Sequence, residues 1–292
     1  MVAGASRIND AVHRARHRFA EVGIPQVEAA LDAELLARDV LGWDRATWIA
    51  RNIEEPPPSF QSRFDELCNR RIRREPMAYI RGRQEFYGRE FAVSPAVLIP
   101  RPETELLIDE ALLLLPALGA SRSLTVIDIG TGSGCLAVTL AIEYPNARYI
   151  ASDISEDALA VARANAERFG VANRIAFVHG AYFADQHGPF NIVVTNPPYV
   201  AESERPSLAP EVVKYEPAAA LFGGDDGLRE VREIIAQSSR LLDEDGTLLM
   251  EVGYGQLDRV AAVANQSDTL ALVRSRRDLQ GIPRVAVIRR CR

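Results

Sequence analysis

The sequence predicts an α/β protein, a parallel sheet with helices on both faces, preceded by a small helical domain. Three observations carry this reading. Residues 1–80 show only helical periods. From Leu124 onward, seven β-type runs alternate with helical segments, the pattern of strand–helix–strand units in a parallel sheet. A glycine-rich turn then joins the first of these strands to the first helix, at the end of the sheet where ligands bind.

Taken in order, Ile8, Val12, Phe19 and Val22 recur at helical spacing. So do Val27, Ala30, Leu31, Leu35, Leu36 and Val40, which predicts a second amphipathic helix with those residues on its apolar face. Gly23-Ile24-Pro25 and Leu41-Gly42 punctuate the two. After Pro56-Pro57-Pro58, Ser59 is placed to cap a third helix with Phe60, Phe64, Leu67, Cys68 and Ile72 on one face. Its Arg70, Arg71, Arg73 and Arg74 read as a solvated face, the alternative being a surface for an acidic partner.

Residues 81–100 read as a linker, with a hairpin predicted around Gly88 and Pro95. Residues 101–292 form the second domain. The run Leu98-Ile-Pro-Arg-Pro-Glu-Thr-Glu105 leads into an apolar helix through Leu106, Ile108, Ala111 and Leu115, with Pro102 in its first turn and two glutamates at its positive end. The strand candidates are Leu124–Ile129, Arg148–Ile154, Ile175–His179, Phe190–Thr195, Thr247–Val252, Leu270–Val273 and Val285–Arg289. Helical patterns cover Cys135–Ile142, Glu156–Phe169, Leu228–Leu242 and Leu257–Val263. The polar, proline-rich stretch Ala201–Gly227 reads as a long loop, a functional lid or a disordered connector.

Composition narrows the function. A net charge of -6 disfavours a general nucleic-acid surface, and Lys214 is the only lysine. Cys68, Cys135 and Cys291 form no CxxC pair, so neither a disulfide framework nor a zinc site is expected, and a reducing cytoplasm fits. Met1 to Ala20 carries charges throughout, without the apolar core of a signal peptide, and no apolar run approaches the ~20 residues of a membrane span. The four histidines, His13, His17, His179 and His187, match no triad or metal spacing, and no metal is expected.

The chemistry resides at two strand ends. Asp128-Ile-Gly130-Thr131-Gly132-Ser133-Gly134 lets the backbone turn tightly and approach a ligand closely. About 20 residues further on, Asp153 ends the next strand, where a carboxylate can accept both ribose hydroxyls. The spacing is GxGxG without a phosphate-binding lysine, which suits an adenosine ligand lacking pyrophosphate. S-adenosylmethionine is such a ligand, its positive charge balanced by Asp128 or nearby carbonyls. At the fourth strand's end stands Asn196-Pro197-Pro198-Tyr199. The prolines hold the chain extended and leave carbonyls free, beside an amide and an aromatic ring. Such a site grips a planar NH2 group, with Asn196 and the Pro197 carbonyl taking its hydrogens and Tyr199 covering its face; the alternative for Tyr199 is a core position at the strand end. In a doubly wound sheet the first and fourth strands are neighbours at the point where strand order reverses, so methyl donor and acceptor would meet there.

With these residues in view, the chain resembles the HemK/PrmC-type glutamine methyltransferases of peptide chain release factors. The matching stretches are Glu75–Gly82, Leu98–Glu105, Asp128–Gly134, Asn196–Tyr199, Tyr215–Pro217 with Gly223–Leu228, and Glu251–Gly253. The resemblance implies a Rossmann-like seven-stranded class I methyltransferase sheet behind an N-terminal helical bundle that recognises substrate. It implies that Asp128, Gly130–Gly134 and Asp153 hold S-adenosylmethionine, with Tyr182 against the adenine where relatives can carry tryptophan. It further implies that Asn196–Tyr199 hold cofactor and glutamine, and that Arg101 and Glu103 contact substrate. The implied partner is the Gly-Gly-Gln loop of a release factor, and the expected form is a cytoplasmic monomer that binds neither nucleic acid nor membrane.

Three rivals stand beside this reading. One is the sister enzyme acting on a glutamine of a large-subunit ribosomal protein, from which Arg101-Pro-Glu-Thr-Glu105 turns the reading away. Another is a DNA adenine-N6 methyltransferase, which shares the tetrapeptide but is disfavoured by the acidic balance and the lack of an evident target-recognition domain. The last is a non-catalytic S-adenosylmethionine-binding module, against which the chain retains both the donor loop and the acceptor grip.

Overall fold

A computed structural model describes residues 7–119 and 123–291. The start of the N-terminal segment, residues 1–6, lies outside the described residues. The chain divides into two compact units, Met1–Gly82 with Pro210–Tyr215, and Arg83–Ala209 with Glu216–Arg292.

In the first unit, α1 (Ile8–Glu21), α2 (Gln26–Leu41), α3 (Arg45–Arg51), α4 (Phe60–Ile72) and α5 (Met77–Arg81) close around Ile8, Phe19, Leu36, Phe60 and Phe64. Helix α3 has no counterpart in the sequence reading; Asp44 caps it by accepting from the Thr47 amide at 2.7 Å. Ser59 precedes α4 but makes no side-chain cap.

The face of α2 differs from the predicted one. Its buried residues are Ala29, Asp32, Ala33, Leu36 and Ala37, whereas Val27 is 84% and Leu31 55% exposed. Small alanines let neighbouring helices approach closely, so the seam follows them with Leu36 and leaves Val27 and Leu31 outside. Of the four arginines read as a solvated face, Arg73 is exposed, whereas Arg70, Arg71 and Arg74 are paired with carboxylates. Arg71 is buried and donates to Asp32 at 2.7 Å and to Glu211 at 2.9 Å. Arg74 also meets Glu211, and Arg70 pairs with Glu75. Their acidic partners come from within the unit, because a guanidinium taken out of water needs a carboxylate beside it.

The second unit opens with the expected hairpin, β1 (Arg83–Phe86) and β2 (Arg89–Ala92). A short 3₁₀ turn, Pro102–Thr104, precedes α6 (Glu105–Leu118). The main sheet contains β3 (Leu124–Ile129), β4 (Ala147–Asp153), β5 (Ile175–His179), β6 (Phe190–Thr195), β7 (Leu242–Glu251), β8 (Leu270–Arg277) and β9 (Pro283–Arg290). Their order is β5-β4-β3-β6-β7-β9-β8. Strands β3 to β7 are parallel, but β9 is antiparallel to both neighbours. A fully parallel sheet is therefore not what forms. The link from β8 to β9, residues 278–282, is too short for a crossover helix and allows only a hairpin.

Alternate residues of the central strands feed two cores. Val126, Ile192, Val194 and Leu249 pack with α6 and α7 (Cys135–Glu143). Ile127, Val193, Leu248 and Met250 pack with α11 (Arg229–Leu241) and α12 (Leu257–Asn265). Burial on both faces explains why these strands read as unbroken apolar runs. Helix α8 (Glu156–Arg168) follows β4.

The stretch predicted as a loop carries structure. It includes a 3₁₀ turn (Glu202–Ser207), α9 (Pro210–Tyr215) and α10 (Ala218–Leu221). Val200 and Phe222 form a parallel bridge that ties its ends together, with Val200 donating to the Leu221 carbonyl and Gly223 to the Val200 carbonyl, each at 3.0 Å.

Candidate active site

Strand order reverses between β3 and β6, and both motifs stand at the carboxyl ends of those strands. The two ends are tied directly, since Thr195 Oγ1 donates to the Ile129 carbonyl at 2.9 Å. Beyond β3, the Gly130 and Thr131 amides both donate to the Ser152 carbonyl at 2.9 Å. Gly130 and Gly132 take φ of +70° and +55°, conformations in which a side chain is strained. Asp153 braces the loop, its Oδ2 accepting from the Gly132 amide at 2.9 Å and its Oδ1 from the Ser155 amide at 2.9 Å. Ser155 itself caps α8, which leaves the half-buried Asp153 carboxylate at the cavity. Asn165, fully buried on α8, donates to the Ser133 carbonyl at 2.9 Å and fixes the far side of the loop.

Asp128 lies beneath this loop. Its Oδ2 accepts from Thr131 Oγ1 at 2.6 Å and from the Ala137 amide at 3.2 Å. Burial pushes its carboxyl up to about 7, with the Thr131 hydroxyl drawing it the other way.

Past β6, the prolines supply no backbone donors and the motif is held by its neighbours. Gln256 Nε2 donates to the Tyr199 carbonyl at 2.8 Å. Gly223 passes so close that a Cβ there would overlap the Pro198 carbonyl oxygen. The Asn196 amide donates from Nδ2 to Thr104 Oγ1 at 3.1 Å, and Thr104 donates in turn to Glu251 Oε2 at 2.6 Å. Burial raises the Glu251 carboxyl to about 7, opposed by the Thr104 hydroxyl.

A cavity of about 750 Å³ opens between the two motifs. Gly130, Thr131, Gly132, Ser133, Asp153, Tyr182, Arg101, Asn196, Pro197 and Pro198 all line it. Asp128, Gly134, Glu103 and Tyr199 are not part of its wall. The Tyr199 ring instead packs against Gly253, which has no side chain to obstruct it, and its phenol is pushed far up by burial with Glu251 next in effect. Tyr182, held at φ +52°, donates its hydroxyl to Glu230 Oε2 at 2.7 Å, and both residues line the cavity. The Cys135 thiol on the wall is pushed up to about 12 by burial and stays protonated at neutral pH.

Comparison with known proteins bears on the whole chain. Residues 10–82 match the family model of the PrmC N-terminal domain, and residues 107–225 that of the methyltransferase small domain. The release factor glutamine methyltransferase of Koribacter versatilis is 42% identical over 262 residues, 89% of this chain and 91% of the relative. That of Nitratidesulfovibrio vulgaris is 46% identical over 230 residues, 78% of this chain and 77% of the relative. The chain belongs to the release factor glutamine methyltransferase family. Among solved structures, the catalytic domain of human METTL16 in complex with the MAT2A 3′UTR hairpin 1 aligns with a TM-score of 0.53 at 14% identity, covering 77% of this chain and 89% of that one. At that identity the likeness extends to the class I methyltransferase fold alone.

Three residues escaped the sequence reading, Thr104 on the cavity wall and Glu251 and Glu216 behind it. Thr104 and Glu251 lie in noted motifs without an assigned role. Glu216, with its side chain 1% exposed, pairs with Arg101 and accepts from the Ile99 amide at 3.1 Å, so it fixes the guanidinium on the cavity wall. A signal for Glu251 was present, because it ends the otherwise apolar run Leu248-Leu249-Met250. A carboxylate there needs buried partners.

Proposed function

We infer that this chain transfers the methyl group of S-adenosylmethionine to the side-chain amide nitrogen of the glutamine in the Gly-Gly-Gln loop of peptide chain release factors. The observation that carries the reading is the Asn196 amide, anchored through its nitrogen by Thr104 on a cavity wall shared with the glycine loop.

The residues present fit the cofactor. A Cβ at Gly130 or Gly132 would meet no protein atom within 4 Å, so the backbone there is open to close approach. The Asp153 carboxylate suits the ribose hydroxyls, and Tyr182 supplies an aromatic surface for the adenine. Asp128, buried behind the loop, contributes negative potential toward a cationic ligand without touching the cavity. When bound, the cofactor supplies an electrophilic methyl group on a positively charged sulfur.

The chain's own task is to make a weak nucleophile reactive. An amide nitrogen shares its lone pair with its carbonyl. With one hydrogen held by Asn196 Oδ1 and the other by the Pro197 carbonyl, the lone pair would face the methyl carbon; the N–C bond would form as the S–C bond breaks, and the surplus nitrogen proton would pass to water. Orientation of this kind supplies roughly 7–11 kcal/mol, and preorganised acceptors stabilise the positive charge that develops on nitrogen. Arg101, steadied by Glu216, is placed to bind the substrate main chain. The helical unit recognises the body of the release factor, a role supported by the outward Val27, Leu31, Ile49 and Ile53. The proposal extends to a cytoplasmic monomer, since donor loop and acceptor motif belong to one chain and translation termination is cytoplasmic. Among the described residues, no helix is long and apolar enough to cross a membrane.

Labelled S-adenosylmethionine tests the proposal with a release factor, the same factor with its Gly-Gly-Gln glutamine replaced, a large-subunit ribosomal protein and adenine-containing DNA. Label is expected in the intact release factor alone. Equal labelling of intact and replaced factors would sink the glutamine assignment, and preferential labelling of the ribosomal protein or the DNA would redirect it.

A further inference from the structure

Gripping a substrate NH2 requires Asn196 to present its oxygen, yet the two ends of an asparagine amide have nearly the same shape. The choice is made by what stands behind it. Asn196 Nδ2 is 3.1 Å from Thr104 Oγ1, and that oxygen is 2.6 Å from Glu251 Oε2. A threonine hydroxyl has one proton to donate, and an ionised carboxylate only accepts. The Thr104 proton therefore goes to Glu251, and the Thr104 oxygen is left as an acceptor. Only the NH2 end of Asn196 can satisfy it.

We propose that Glu251 is a positioning residue which, by polarising Thr104, fixes the Asn196 amide with its oxygen toward the substrate. The proposal rests on the assignment of Asn196 to glutamine recognition. Thr104 is 2% and Glu251 3% exposed, so water is shut out of the relay and a reversed amide would leave buried groups unpaired. Reversal has a functional meaning, because it would aim an NH2 group at the substrate NH2 group and leave two donors facing each other. An isosteric Gln at 251 brings a donor into the relay. It can turn the Thr104 hydroxyl round, so that Thr104 donates to Asn196 Oδ1 and the amide flips.

The test measures release-factor methylation at pH 8, above the Glu251 value of about 7. It compares the wild type with Thr104→Val, Thr104→Ser and Glu251→Gln, and records thermal midpoints and S-adenosylmethionine affinity by calorimetry. Thr104→Val and Glu251→Gln are expected to lose roughly 10- to 100-fold in kcat while cofactor affinity stays within about twofold. Thr104→Ser retains the hydroxyl and is expected to stay within about threefold of wild type. Wild-type kcat in Thr104→Val, or an equal loss in Thr104→Ser, would overturn the relay, the second because packing rather than the hydroxyl would then matter. A wild type that labels no release factor would remove the substrate reading and the proposal with it, a result distinct from an active wild type with indifferent variants.

Discussion

Asp128 and Glu251 are two buried carboxylates in matching places with different reach. Each lies at the carboxyl end of a parallel strand, each is almost wholly buried, and each accepts a threonine hydroxyl at 2.6 Å. Burial raises both to about 7. Asp128 takes its threonine from three residues away and adds the Ala137 amide, so its bonds stay within one strand–loop–helix unit. Glu251 takes its threonine from 147 residues away, and that threonine passes the chain of bonds to Asn196. The donor loop is thus made locally, whereas the acceptor grip exists only when three distant segments are assembled. The contrast separates two effects that mutation should resolve, cofactor affinity at one carboxylate and turnover at the other.

The largest effect belongs to Asn196 itself. Asn196→Ala removes the acceptor but leaves the glycine loop, so kcat is expected to fall roughly 10²- to 10³-fold while calorimetry still detects cofactor binding. Normal turnover would break the comparison at its acceptor end. Next in size is Asp128→Asn, which removes the negative charge beneath the donor loop. We expect about a tenfold rise in the KM for S-adenosylmethionine, an electrostatic effect near 1.4 kcal/mol, with kcat within about threefold. A kcat loss matching that of Glu251→Gln, with unchanged KM, would show that the two carboxylates do not divide the work.

A smaller effect is expected from Gly223→Ala, because the new methyl group would press on the Pro198 carbonyl oxygen. Displacing the motif by a fraction of an ångström should lower kcat roughly tenfold or less without weakening cofactor binding. Unchanged kcat would mean that the Thr104, Gln256 and Thr195 bonds hold the motif without the close Gly223 contact.

How much could be read beforehand follows the same division. Seven strands, their helices and the meeting of β3 with β6 were legible, since periodicity and chain order express them directly. The glycine loop with Asp153 was legible for a similar reason, its contacts being close in sequence. The alanine-lined seam of α2 was not, because size matching between helices overrides hydrophobicity once the bundle packs. Nor was the antiparallel β9, which depends on the length of one turn. The relay from Glu251 to Asn196 was hidden because no local pattern links residues so far apart, and the position of Tyr199 because it depends on an absent side chain at Gly253.

The smallest effect concerns stability and shows whether both carboxylates sit in comparably dry surroundings. Asp128 rises to about 7 from 3.8 and Glu251 to about 7 from 4.5, so each binds its proton more tightly in the folded state. Between about pH 4 and 7 the native chain therefore holds more protons than the unfolded one, and stability declines as pH rises through that window, reaching a plateau above it. Asp226 acts oppositely and lower on the scale, held at about 2 by Arg232, so the raw pH curve mixes both slopes. Subtraction isolates the buried groups. Relative to wild type, Asp128→Asn and Glu251→Gln should each gain in thermal midpoint between pH 5 and pH 8, by a few degrees for about 1–2 kcal/mol. If only one variant gains, its carboxylate alone is dry, and the symmetry between the strand ends is one of position rather than environment.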